Sequence, residues 1–294
     1  MAKTVLGIIG GSGVYDVPGL ENAKWQRVDS PWGEPSDYIL TGTFQGVDMA
    51  FLPRHGRGHF QTPSSINYRA NIDAMKRVGV TDLISVSACG SLKEELSPGT
   101  FVMAAQFIDR TFAREKSFFG PGFVAHVPMA HPVCPKLSGA LTLAARELKI
   151  DHSEGGTYIC MEGPQFSTRA ESLLYRSWEA DVIGMTAMPE AKLAREAELP
   201  YAIVCMVTDY DCWHDDHDSV TVDAVIKVMH KNAANARRLI MAVAPKLGPE
   251  RTPSTCADNP ETVLDYALIT APDRRDPSLV AKLDAVAGRV LKKD

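Results

Sequence analysis

Runs of strand length that are almost continuously apolar recur along the chain: Val5 to Ile9, Asp48 to Leu52, Asp82 to Val86, Phe101 to Ala104, Thr157 to Met161, Asp181 to Met185 and Ala202 to Val207. Helical patterns fill the gaps between them. Continuous apolar strands separated by helices predict an α/β sheet covered on both faces, because a strand with only one buried face would alternate instead. Ser64 can cap a helical segment ending at Gly79, and Thr168-Arg169-Ala170-Glu171 has capping-box spacing ahead of Leu173, Leu174 and Trp178. Pro189-Glu190 opens a further helix, PEAKLAREAEL, since proline is tolerated in a first turn.

From Pro245 to Thr255, PKLGPERTPST, the composition turns to proline, glycine and charge and reads as a linker. The chain therefore divides into residues 1–247 and an extension, 248–294, in which two short helices are expected. Asp258-Asn259-Pro260-Glu261 and Asp276-Pro277 each offer a cap followed by proline. Leu279, Leu283, Val286 and Val290 fall on one face of the last helix. Such a tail suits packing better than catalysis.

Of the 294 residues, 45% are hydrophobic and 23% charged, enough to bury a substantial core. The formal net charge of -5 argues against a general nucleic-acid or membrane-surface binder, which needs a basic face. The six cysteines are scattered without a CxxC pair, so a reduced, cytoplasmic protein is expected. The apolar run in MAKTVLGIIGGSG is too short for a signal peptide and breaks into glycines, and no run approaches the roughly 18 residues of a membrane span.

Candidate chemistry sits at the strand ends, where open α/β sheets bind their ligands. IIGGSG ends the first strand in a glycine turn whose N–H groups suit an anion, with Ser12 adding a hydroxyl. It lacks the third glycine of a dinucleotide fingerprint and the Lys-Ser/Thr of a P-loop, and it fits an empty turn equally well. Arg54-His55-Gly56 offers a planar fork and a histidine able to donate or carry charge, the bland alternative being a solvated basic loop. The RHG tripeptide also marks histidine phosphatases, where it closes the first strand; here a strand and its glycine turn precede it. Ser87, in SVSACGS, follows small residues that let a ligand reach backbone amides, and Cys89 reads as buried filler. Thr186 closes IGMT with another donor. Asp209 and Asp211 follow the apolar IVCMV. With His214, Asp215, Asp216, His217 and Asp218 they invite a metal site, but there is no HExxH, and such runs are usually solvated loop or lid. The strand ends thus divide into donors for an anion and acids for a second reactant bearing nitrogen.

Taken in order, GIIGGSG, RHGRGH with Pro63-Ser64 and Asn67-Tyr68, ACGSL, EGPQFSTRAES, IGMTAMPE and TDYDCW resemble the purine nucleoside phosphorylase family, most closely its 5'-methylthioadenosine phosphorylase branch, from about Lys3 to Leu247. The resemblance implies a phosphorylase/hydrolase-like three-layer α/β/α sandwich with a twisted mixed sheet, assembled as homotrimers or as hexamers built from trimers. It places a phosphate site on Ser12, Arg54, His55, Ser87, Ala88 and Thr186. Met185 falls under the ribose, Phe166 and Ser167 in the loop covering the substrate, and Asp209 and Asp211 at the base. His126, in AHVPM, matches a residue reaching the neighbouring subunit's 5' pocket. Gly184 stands where some relatives carry Asn, serines 12 and 87 replace threonines common in the branch, and the tail is longer than usual.

An ionised carboxylate accepts from adenine's amino group and a protonated one donates to ring nitrogen 7, so two neighbouring acids can read adenine and supply the leaving-group proton. Asp209 is the expected general acid, its pKa raised by burial and by its acidic neighbour. Inorganic phosphate is co-substrate and nucleophile, and no metal or organic cofactor is expected. Val222 stands where phosphorylases of ordinary nucleosides often place a histidine for the 5'-hydroxyl; a valine packs on a methylthio group instead. The expected activity is phosphorolysis of 5'-methylthioadenosine in methionine and purine salvage. The alternatives are another purine nucleoside (methylthioinosine, adenosine or inosine) and a non-catalytic nucleoside-binding protein on the same fold.

Overall fold

The computed structural model describes residues 3–11, 13–15, 17–214, 222–254 and 256–292, with the backbone alone for 222–227. β1 (Val5–Gly10) lies parallel between β4 (Val47–Pro53) and β5 (Asp82–Ser91). Outside β4, β3 (Ile39–Phe44) and β2 (Glu21–Gln26) form an antiparallel meander. β5 is the longest strand and the pivot of the sheet. Along one edge it pairs in parallel with β11 (Tyr201–Asp209), which leads on to β6 (Phe101–Met103) and β8 (His152–Glu154). It also pairs with β1 from Asp82 to Val86, and then at Gly90 and Ser91 with antiparallel β10 (Val182–Gly184). β9 (Thr157–Cys160) and β7 (Gln106–Asp109) complete the mixed sheet of eleven strands.

The side chains of β11 show why both faces are covered. Ile203, Cys205 and Val207 enter one cluster, with Ile72 and Met75 of α1 (Tyr68–Arg77) and Leu193 and Ala194 of α4 (Ala187–Glu196). Ala202, Val204 and Met206 enter the opposite one, with Leu137 and Leu141 of α2 (Pro135–Glu147) and Leu239 and Ile240 of α5 (Val222–Leu247). With both faces buried, alternation in packing leaves no alternation in polarity. The result is the three-layer α/β/α arrangement read from the sequence.

The helix starts are more mixed. Thr168 caps α3 (Arg169–Ser177) with the predicted box, accepting from the Glu171 amide while Glu171 accepts from the Thr168 amide. Ser64, by contrast, is no cap. Thr62 and Ser65 bond to each other in a turn, and α1 begins only after Asn67, whose side chain accepts from the Ala70 amide. In α4 the regular turns start at Pro189 as expected, because Met188 is still extended (φ -117°, ψ 134°).

Past Leu247 the chain returns to the sheet. Arg251 donates to Asp82 at 3.0 Å and to Glu261 at 2.9 Å. A 3-10 turn at Pro260–Asp265 follows Asn259, which sits at φ 42° and makes no capping bond, contrary to expectation. Asp276 does cap α6 (Pro277–Lys282), and α7 (Gly288–Leu291) ends the segment. Leu283, Val286 and Val290 are buried as their spacing predicts, but the helix breaks between them. They join Leu264 in the same cluster as α1 and α4.

Candidate active site

The carboxyl ends of β1, β4, β5, β10 and β11 open on one cavity of about 430 Å³, lined by Arg54, His55, Ser87, Ala88, Met185, Thr186, Asp209 and Asp211 among others. β5 explains its position. Ser87, Ala88 and Cys89 fall between the stretch paired with β1 and the stretch paired with β10, so the sheet parts there and leaves room for a ligand. Phe166, 52% exposed, and Phe60, 68% exposed, stand at the mouth.

At the anion end, Arg54 is 1% exposed and heavily committed. Its Nε and Nη2 donate to the two oxygens of Glu190 at 2.8 and 3.1 Å, Nη2 also reaches Ser85 Oγ at 2.6 Å, and Nη1 donates to the Val86 carbonyl at 3.0 Å. Tyr201 donates its hydroxyl to Glu190 Oε1. A buried guanidinium needs such a counter-charge, and five donors still allow one N–H of Nη1 to face the cavity. His55 differs from expectation. Burial, helped by the nearby Arg54 charge, lowers its pKa to about 4, so the ring is neutral at physiological pH. Its Nδ1 lies 2.9 Å from the Gln61 carbonyl, which can only accept. Nδ1 therefore carries the hydrogen and Nε2 is an acceptor, so the ring neither carries charge nor donates into the site. Ser87 Oγ and Thr186 Oγ1 lie 3.3 Å apart, both buried.

At the other end, β11 closes in a tight turn. Asp211 adopts φ 52°, a left-handed conformation that aspartate tolerates, and its amide donates to Asp209 Oδ1 at 2.8 Å. Thr208 Oγ1 lies 2.6 Å from Asp209 Oδ2. Gly90 makes the approach possible, since a Cβ there would sit 2.9 Å from Asp209 Oδ1. Burial raises the pKa of both acids, against the lowering effect of the Thr208 and Asp211 bonds to Asp209. The acidic neighbour acts on Asp211, whose pKa the Asp209 charge raises further, and is not among the causes acting on Asp209. The Ser172 and Ser167 side chains act on the Asp211 carboxyl and hold its pKa down against burial, while Asp211 itself lines the cavity.

Several expected residues lie apart. Ser12 and Asp215 to Asp218 are outside the described residues, as is the side chain of Val222. Ser167 sits behind the cavity, where its carbonyl accepts from Cys212 Sγ and its hydroxyl reaches Met161 Sδ. His126 is exposed, on a segment whose amide donates to the Ala267 carbonyl, and does not line the cavity of its own chain. His214 lies 3.0 Å from Glu94.

Other residues of the site gave little warning in sequence. Arg114 is buried under the cavity, its Nη1 donating to the Met185 and Met188 carbonyls at 2.6 Å and its Nη2 to the Glu162 carbonyl at 2.6 Å. Glu162 accepts from the Phe112 and Ala113 amides and from Ser64. Glu190 lay in the IGMTAMPE motif, a visible but unused signal. Met161, Met206 and Met229 supply apolar wall.

The profile of the Phosphorylase superfamily matches residues 5–245. The chain is 63% identical over 289 residues to the S-methyl-5'-thioadenosine phosphorylase of Rhodospirillum rubrum, with 98% of each chain covered. It is 62% identical over 290 residues to that of Cereibacter sphaeroides, with 99% of each covered. Among solved structures, it matches a methylthioadenosine phosphorylase from an Antarctic soil metagenomic library with a TM-score of 0.90 and 45% identity, over 96% of this chain and 98% of that one.

Proposed function

The chain belongs to the phosphorylase superfamily, and on that basis we propose that it catalyses the reversible phosphorolysis of 5'-methylthioadenosine to adenine and 5-methylthioribose 1-phosphate. The observation that carries this reading is the division of one cavity between the donors Arg54, Ser87 and Thr186 and the neighbouring carboxyl groups of Asp209 and Asp211. Adenine's amino group can donate to the Asp211 carboxylate. A 6-oxopurine presents an acceptor there and leaves the carboxylate unsatisfied, a mismatch that discriminates strongly.

Phosphate binds at the other end, held by Ser87, Thr186, the spare N–H of Arg54 and, through the phosphate's own O–H, by the acceptor Nε2 of His55. Ser12 and the Ala88 backbone belong to the same subsite. An oxygen of phosphate attacks C1' of the sugar as the C1'–N9 bond breaks. The electron pair leaves with the purine, and nitrogen 7 takes a proton from Asp209. Met185 supports the ribose, Phe166 and Ser167 belong to the covering loop, and Val222 packs on the methylthio group. No metal or organic cofactor is assigned.

The acting form is a cytoplasmic homo-oligomer, a trimer or a dimer of trimers, in which His126 reaches a neighbour's site. Exposed Leu173 and Leu174 on α3 and Trp178 at its end put three large apolar side chains in water on one short helix, which supports an interface there. Phosphate-dependent release of adenine from methylthioadenosine tests the reading. Release without phosphate, or binding without release, overturns it.

A further inference from the structure

The anion end of the cavity rests on a phenol that has no part in the chemistry above. Tyr158, on β9, is fully buried, its ring edge-on to Phe107 at 6.0 Å. Its hydroxyl touches both site residues: the Thr186 amide donates to it at 3.4 Å, and Ser87 Oγ is 3.5 Å away. These are long bonds, but a buried phenol has few alternatives, and burial raises its pKa well above the ordinary value, so it keeps its proton.

The phenol oxygen accepts from the Thr186 amide, and in the pair with Ser87 Oγ either hydroxyl can give the hydrogen; the arrangement that serves an anion is the one in which the phenol donates to Ser87 Oγ. A serine oxygen that accepts from the phenol must send its own hydrogen elsewhere. The Ala88 carbonyl at 3.1 Å and Thr186 Oγ1 at 3.3 Å are within its reach, and a bound anion offers the stronger acceptor.

Gly184 completes the arrangement. It is not in the left-handed region, so a special backbone angle does not account for it. A Cβ there would sit 2.0 Å from the Tyr158 hydroxyl oxygen and 2.7 Å from Cζ, which are side-chain atoms of a ring locked in the core. The phenol occupies the space that a side chain at 184 would take.

We propose that Tyr158 is a positioning residue for the inorganic-phosphate subsite, fixing Ser87 as a hydrogen-bond donor, and that Gly184 is the vacancy that admits its hydroxyl. The inference rests on the phosphorylase reading and adds a residue to it.

Tyr158→Phe keeps the ring and removes the hydroxyl. The KM for phosphate should rise about three- to tenfold, the size of one neutral hydrogen bond, with the KM for methylthioadenosine and kcat within about twofold of the parent. In a Ser87→Ala background the same substitution should add nothing to the phosphate KM, because the two residues act as one. An unchanged phosphate KM in the folded variant, additive effects with Ser87→Ala, or equal losses for both substrates alongside a lowered Tm would overturn the inference. Gly184→Ala together with Tyr158→Phe, which removes the oxygen nearest the new methyl, should be better folded than Gly184→Ala alone, and a Gly184→Ala chain as stable alone as in that pair would also overturn the inference. If the parent itself shows no phosphate-dependent turnover, the failure lies with the phosphorylase reading.

Discussion

Asp209 has both oxygens engaged, by the Asp211 amide and by Thr208, yet burial raises its pKa. The raised value keeps the acid form to higher pH, so phosphorolysis should decline as pH rises through it and the donor is lost. Asp209→Asn should cut kcat by about 10²- to 10⁴-fold, with a much smaller change in nucleoside KM, and the residual activity should lack that decline with rising pH. A pH profile of the pure variant checks both; unchanged kcat would remove Asp209 from its role. Glu190 poses a different residue-scale question. With Arg54 and Glu190 each 1% exposed, Glu190→Ala leaves a buried cation without its partner and should cost about 3–5 kcal/mol in denaturant unfolding, as broken buried pairs do. A loss below about 1 kcal/mol, the size of a surface pair, would show that the pair is not as dry as its geometry.

Among the elements, local chemistry was legible and distant contacts were not. The α3 start could be read because Thr168 and Glu171 bond to each other, through backbone and side chain, across three residues; Thr168→Ala should cost about 1 kcal/mol in thermal or denaturant unfolding. Ser64 misled because its hydroxyl serves Glu162, 98 positions away, while Asn67 does the capping. Arg114 was invisible for the same reason, its acceptors lying 46 to 74 positions away in the chain. Holding the Met185 and Met188 carbonyls, it fixes the segment between β10 and α4. Arg114→Lys keeps the charge and loses the fork, and should lower kcat/KM for the nucleoside about ten- to a hundredfold, the cost of a small misplacement. Steady-state rates at saturating phosphate measure it, and an unchanged value would show that the clamp is dispensable. The hold of the Ser172 side chain on Asp211 needed coordinates, because the two residues meet only in the folded chain.

At the scale of the molecule, the linker reading of 245–255 captures the change in composition but not the return of the chain. Arg251 ties the segment to Asp82 at the start of β5, and Leu264, Leu283 and Val286 fill the layer that holds α1 and α4. Truncation after Leu247 should therefore expose core and abolish a cooperative melt followed by circular dichroism; a truncated chain melting like the parent would make the extension a mere appendage. The claim on which everything else depends is that one cavity sorts phosphate from adenine and joins them in one reaction. The direct measurement is release of the free base by the full chain with and without phosphate, adenine from methylthioadenosine and adenosine and hypoxanthine from methylthioinosine and inosine. The account predicts release only with phosphate, highest kcat/KM for methylthioadenosine, adenosine next, and the two 6-oxopurines far behind. Release independent of phosphate, or a 6-oxopurine nucleoside turned over as well as methylthioadenosine, would contradict it.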